Sequence, residues 1–214
     1  MKGKNKMILG GLGALVIATA ILWGPIVSDV EQAAYQVAES ADDIEIRIYD
    51  PMIIAEVSIR GPRKDAINKG FGMLAGYIFG ENQSNAEVSM TAPVTQQQEN
   101  KIPMTAPVTQ QREGDAWQVR FVMPRQYDMD SLPKPNNPEI SIKKIPAMRQ
   151  AVIRFSGIAD DDKLKEKTEE LMKFIRSNNL EPASQPIYAF FNPPWTLPLL
   201  RRNEVMIPLH HANP

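Results

Sequence analysis

Alternation of apolar and polar residues is the dominant pattern in the middle of the chain. In "IEIRIYD" (44–50), Ile44, Ile46 and Ile48 stand against Glu45 and Arg47, the period of a half-buried strand. "MIIAEVSIR" (52–60) follows Pro51, so two strands meet at a proline corner. The period then lengthens. Gly61-Pro62 places proline at a first helical turn, and Ile67, Phe71, Leu74 and Ile78 recur at helical spacing until Gly80. Strands are predicted at 87–97 and 101–111 and in "AWQVRFVMP" (116–124). The Pro/Asn-rich "YDMDSLPKPNNP" (127–138) is a connecting loop that divides the domain into halves.

The second half repeats the first. Setting Gly157 over Gly61 aligns Met148 with Met52, Ala151 with Ala55, Ile153 with Val57 and Phe155 with Ile59, and a helix follows each glycine. The second helix has Asp160, Asp161 and Asp162 in its first turn, Leu164, Thr168, Leu171 and Ile175 on one face and a Glu169–Lys173 pair outside. Strands at 185–191 and 203–208 complete the half. Two β-β-α-β-β units predict a pseudo-twofold α+β domain whose sheet carries both helices, with a groove between helix and sheet.

A shorter repeat lies inside the first half. "MTAPVTQQ" occurs at Met90 and again at Met104, an even offset that keeps each copied side chain on the same strand face. The reading is a hairpin turning near Gln98-Glu99-Asn100, its copies presenting Met and Val on one face. Pro93 and Pro107 lack a ladder donor and belong at an edge or bulge.

Composition adds a location and removes several chemistries. Three lysines (Lys2, Lys4, Lys6) precede an uncharged run from Met7 to Val27, about 31 Å long if helical, close to the thickness of a bilayer core. Residues 1–32 are therefore expected to be a signal anchor that crosses the inner membrane once, with 33–209 as an extracytoplasmic, periplasmic domain and 210–214 as a tail. Ala18-Thr19-Ala20 would be the cleavage site of the alternative, a cleaved leader. Net charge is −1, or −4 once the three lysines are removed with residues 1–27, which argues against a nucleic-acid partner. The absence of cysteine excludes thiolate metal sites and thiol nucleophiles. Both histidines, His210 and His211, lie in the last five residues, so neither a Ser/His/Asp triad nor a two-histidine metal site is expected within the fold.

"KIPMTAPVTQQ", "VRFVMP" and "FFNPPWTLPLLRRNEVMIPL" (190–209), in that order around two helices, resemble the SOUL heme-binding family over residues 35–209. The resemblance implies a distorted antiparallel β-barrel of two related halves flanked by two helices, and heme or another tetrapyrrole as ligand. The candidate groove lies between Phe71, Leu74, Tyr77 and Ile78 of the first helix and the proline-stiffened loop carrying Phe191, Trp195, Leu197 and Leu199. Arg63, Lys64, Lys69, Arg201 and Arg202 are candidates for heme propionates, and Met73 and Tyr77 for axial ligation. Asn68 and Gly76 stand where heme-binding relatives carry basic residues, a departure from the pattern. The expected function is non-catalytic tetrapyrrole binding. The alternatives are a protein-interaction module at the membrane and a Tyr/Glu-dependent small-molecule hydrolase.

Overall fold

A computed structural model describes residues 30–83 and 101–210. The apolar run Met7–Val27 of the expected anchor, the predicted strand 87–97 with the first copy of the octapeptide, the expected turn near 98–100 and His211 lie outside the described residues. Among the described residues no helix is long and apolar enough to cross a membrane.

The chain runs β1 (Glu31–Gln32), β2 (Tyr35–Ala41), β3 (Ile44–Tyr49), β4 (Met52–Arg60) and α1 (Arg63–Ile78). It continues through β5 (Asn82–Gln83), β6 (Thr105–Ala106), β7 (Val108–Glu113), β8 (Ala116–Val122), β9 (Lys134–Pro135), β10 (Ser141–Ile145) and β11 (Met148–Phe155). Helix α2 (Asp161–Ser177), β12 (Ile187–Phe190), a 3-10 turn (Pro198–Leu200) and β13 (Asn203–Pro208) complete it. Nine strands form one curled antiparallel half-barrel in the order β10-β4-β8-β7-β12-β13-β11-β3-β2.

That order reads the same from either end once β2 is set aside. β4 answers to β11, β8 to β13, β7 to β12 and β10 to β3, so the pseudo-twofold passes between β7 and β12. The alignment of the two glycines holds in detail. Gly61 and Gly157 both adopt positive φ, +120° and +102°, a conformation that side chains with a Cβ resist. Ala55 and Ala151 are both fully buried, as are Val57 and Ile153 to within 1%. The order also contains a crossing: β3 pairs with β11 of the second half, and β10 pairs with β4 of the first. Each corner, at Pro51 between β3 and β4 and at Pro146 between β10 and β11, therefore hands a strand to the other half.

One row of paired residues crosses nearly the whole sheet: Val57, Val119, Gln110, Tyr188, Val205, Ile153 and Ile44. Neighbours in such a row share a face. Val57 and Val119 belong to the core under α1, whereas Val205 and Ile153 belong to the core under α2, so both helices lie on one face of the sheet. Helix α1 buries Ala66, Gly70, Leu74, Tyr77 and Ile78 against β4 and β8. Burying a side chain as large as Leu74 or Ile78 stabilises by about 1.5–3 kcal/mol. Helix α2 buries Leu164, Leu171 and Ile175, as its apolar spacing predicts, and the Asp160 carboxylate caps it by accepting from Lys163 N–H at 2.9 Å. Its outer ion pair joins Glu169 to Lys165, one turn before it, at 4.0 Å, rather than to the expected Lys173 one turn after it.

The opposite face carries charge. Arg47 is 2% exposed and Glu204 is fully buried; they form a bidentate pair at 2.8 and 3.1 Å, and Arg202 reaches the same carboxylate at 2.7 Å. The Arg47 guanidinium lies 4.3 Å from the Tyr35 ring centre and that of Arg202 lies 3.9 Å from Phe191. Desolvation opposes the charge on Arg47, but the hydrogen bond and charge of Glu204 outweigh it and hold the guanidinium more firmly protonated than in water. The motif Arg202-Asn203-Glu204 thus locks the last strand, Asn203 adding a hydrogen bond to the Gly157 carbonyl at 3.1 Å.

The predicted strand 101–111 divides at Pro107. β6 pairs with β1 in a separate two-residue parallel ribbon, and β7 enters the centre of the main sheet. A proline cannot donate to a ladder, so the chain changes partner there. Consequently Met104 is exposed while Val108 packs against the α1 core, and in this second copy the two do not share a face.

Candidate functional site

The groove expected between α1 and the 191–197 loop divides into two separate environments. Leu74 and Tyr77 are fully buried and Ile78 is 1% exposed, all three held against the sheet. The Tyr77 hydroxyl donates to the Pro133 carbonyl at 2.8 Å, and burial pushes its pKa up to about 12. Met73 packs on the same core; Lys69 faces solvent. Phe71 is half-exposed and leans edge-on against Phe121, with ring centres 5.3 Å apart. Phe191 joins the core of the opposite sheet face. Trp195 and Leu197 stand out from the loop, 72% and 46% exposed. The helix stripe is spent on the sheet, because a helix over a sheet must bury one apolar face and this chain offers α1 only one.

An open cleft lies instead where the two halves meet. It runs between α1 and α2 above the central strands and has a volume of about 380 Å³. Trp117 of β8 and Tyr188 of β12 line it, with ring centres 6.5 Å apart and planes tilted by 34°. The cross-sheet row explains the opening. Its apolar run is interrupted at the pseudo-twofold by Gln110, which is 2% exposed and too polar to seat a helix. Arg63, the first residue of α1, donates to Gln110 Oε1 at 3.3 Å and pairs with Asp161, the first residue of α2. One guanidinium therefore ties both helices to the strand beneath them. Leu164, Lys165, Thr168 and Glu169 form the α2 wall.

The cleft offers two aromatic rings, the Leu164 side chain and two cations, Arg63 and Lys165, each paired with a carboxylate, Asp161 and Glu169. The rings suit one face of a flat hydrophobic ligand such as a porphyrin, and carboxylates on that ligand would compete with Asp161 and Glu169 for the two cations. Arg63 and Lys165 would meet a tetrapyrrole's carboxylates by exchanging their present partners, Asp161 and Glu169. Of the basic groups singled out in the sequence, Arg63 lines the cleft. Arg201 is engaged elsewhere, donating to the carbonyls of Thr196 at 2.8 Å and Pro194 at 2.5 Å, and Arg202 serves the buried Glu204. His210 lies outside the cleft, its N–H donating to the Glu181 carbonyl at 3.0 Å. Trp117, Tyr188 and Lys165 were missed by sequence reasoning. The two rings occur in strands that periodicity alone assigns to the core, and only the strand order shows that they meet at the gap between the helices, where neither is fully buried.

Comparison with known proteins agrees with this architecture. A family model described as SOUL heme-binding protein matches residues 30–208. Heme-binding protein 2 of Homo sapiens is 28% identical over 165 residues, covering 76% of this chain and 76% of that protein. The Mus musculus protein of the same name is 27% identical over 184 residues, covering 83% and 85%. Among solved structures, the EcmrR C-terminal domain is similar at a TM-score of 0.56 with 13% identity, covering 83% of this chain and 99% of that domain. A hydrolase from Listeria innocua is similar at 0.55 with 10% identity, covering 78% and 92%. At such identities the likeness is one of fold.

Proposed function

Because the chain belongs to the SOUL heme-binding protein family, we propose that it binds heme or a related tetrapyrrole, without catalysing a reaction, in the cleft over Trp117 and Tyr188. The observation that carries this reading is a pair of partly buried aromatic rings lining an open cleft at the pseudo-twofold, flanked by Arg63 and Lys165. The names of the human and mouse relatives support the ligand class. The lysine-flanked run Met7–Val27 supports residues 1–32 as an inner-membrane anchor, with the domain on the periplasmic side.

Titration of the purified protein with hemin and with metal-free protoporphyrin tests this reading. Both should bind saturably and with similar affinity, because shape and charge rather than an iron bond select them. Stacking on an indole is worth about 1–3 kcal/mol, so Trp117→Leu should weaken both by about 5- to 150-fold. If neither ligand saturates, the tetrapyrrole reading fails and the interaction module becomes the better account. Resistance to alkaline carbonate extraction tests the anchor.

A further inference from the structure

Among the described residues the three most exposed large apolar side chains lie together. Trp195 is 72% exposed and Leu199 84%; Ile158, 62% exposed, is brought beside them because Gly157 N–H donates to the Pro198 carbonyl at 2.9 Å. Leu197 and Leu200 on the same loop are half-exposed. This exposure is built. Pro193, Pro194 and Pro198 stiffen the loop, and Arg201 pins it from within through two carbonyls. A chain gains no fold stability by holding leucines out in water, so the arrangement fits an apolar environment outside the domain.

A cationic groove of about 560 Å³ lies at the base of the same loop, between Leu199 and Leu200 on one side and Arg154, Lys163 and Lys167 on the other. Lys163 and Lys167 form surface i,i+3 pairs with Glu166 and Glu170, contacts weak enough for a phosphate to displace. Indole and leucines projecting beyond a basic collar match the layers of an anionic bilayer, with apolar groups at the acyl boundary and Lys/Arg at the phosphates. The start of the described chain lies at the same end of the sheet. Ala33 and Phe191 pack on the same core, and Gln32 Oε1 accepts from Arg202 at 3.0 Å. Val27, where the uncharged run ends, is three residues before Val30, a reach of at most about 10 Å.

We propose that residues 192–200, with Ile158, form a second membrane contact that seats the domain on an anionic phospholipid surface. Where that surface lies rests on the anchor reading; the loop's own attraction to lipid does not. Since the chain lacks cysteine, Leu199→Cys on the full chain takes a single polarity-sensitive fluorophore. Asp115→Cys, exposed at the β7–β8 turn on the opposite end of the sheet, is the reference. In phosphatidylcholine vesicles containing phosphatidylglycerol, the label at 199 should brighten several-fold, shift to the blue and be quenched by nitroxide-bearing lipids, while the label at 115 stays water-like. Arg154→Glu with Lys163→Glu should remove the dependence on phosphatidylglycerol. A label at 199 that stays water-like in a protein resistant to carbonate extraction overturns the inference and leaves the anchor standing. A lipid response in a protein that carbonate strips supports the loop contact and refutes the anchor. A response to hemin without vesicles, and none to lipid, assigns the patch to the tetrapyrrole and overturns the inference.

Discussion

Two glycines on α1, two residues apart, should respond to the same substitution with opposite sign. A Cβ at Gly70 would lie 2.7 and 2.9 Å from two atoms of Val119 and 3.1 Å from Val57, well inside the 3.5–4.0 Å optimum for carbon contacts. Val119 is fully buried and β-branched, so its χ1 is restricted and it has little room to retreat. Overpacking of this kind costs about 1–3 kcal/mol, and a rigid neighbour places the cost near the top of that range. Helix propensity returns about 1 kcal/mol on replacing glycine by alanine. Gly70→Ala should therefore destabilise by about 2 kcal/mol. At Gly72 a Cβ meets nothing within 4 Å, so Gly72→Ala keeps the gain of about 0.5–1 kcal/mol. The two variants should differ by about 3 kcal/mol, or about 6–12 °C in Tm for a domain of this size. Urea melts with equal m-values, alongside thermal scans, measure the difference. Equal signs, or a gap below about 1 kcal/mol, would show that α1 rides more loosely on β8 than these distances state.

Arg47→Met should cost about 3–5 kcal/mol, because Glu204 is then left in the sheet interior with Arg202 alone; adding Glu204→Gln should recover part of the loss, and purely additive losses in the double-mutant cycle would contradict the coupling. Burial raises the pKa of Glu56, but Lys143 and Arg120 outweigh burial and hold it below the usual carboxylate range. Its contribution is therefore present above the unfolded value of about 4.3 and lost as pH falls through the lower folded value. Glu56→Gln should accordingly lower the urea midpoint at neutral pH and match the parent in acid, and a pH-independent gap would refute this origin.

The internal symmetry was legible because it rests on residues with no substitute: two glycines at positive φ and two alanines under helices each leave a mark at the same offset. The last strand was legible to the residue, since Asn203–Pro208 is bounded by basic residues and ends in proline. Pairing order was not. Periodicity reports that Ile44 and Ile46 share a face, but carries no information on whether β3 joins its own half or the other. The site suffered from the same gap. Leu74, Tyr77 and Ile78 show an apolar stripe, and a stripe looks alike whether sheet or ligand covers it. Trp117 and Tyr188 sit at positions 71 residues apart and become a pair only after β7 and β12 are placed side by side.

The exchange of β3 and β10 makes each half a lender and a borrower. Half of this molecule, synthesised alone, would present an unfilled strand position beside β4 or β11, and the natural filler would be the strand of a second copy. The loop of residues 127–138 turns that bimolecular demand into an intramolecular one, at an effective concentration on the order of millimolar. Severed at the exposed Asp128–Ser131 turn, the protein should behave as an obligate two-component complex whose folding depends on the concentration of both fragments. A short tether is thus what separates a self-sufficient chain from an assembly.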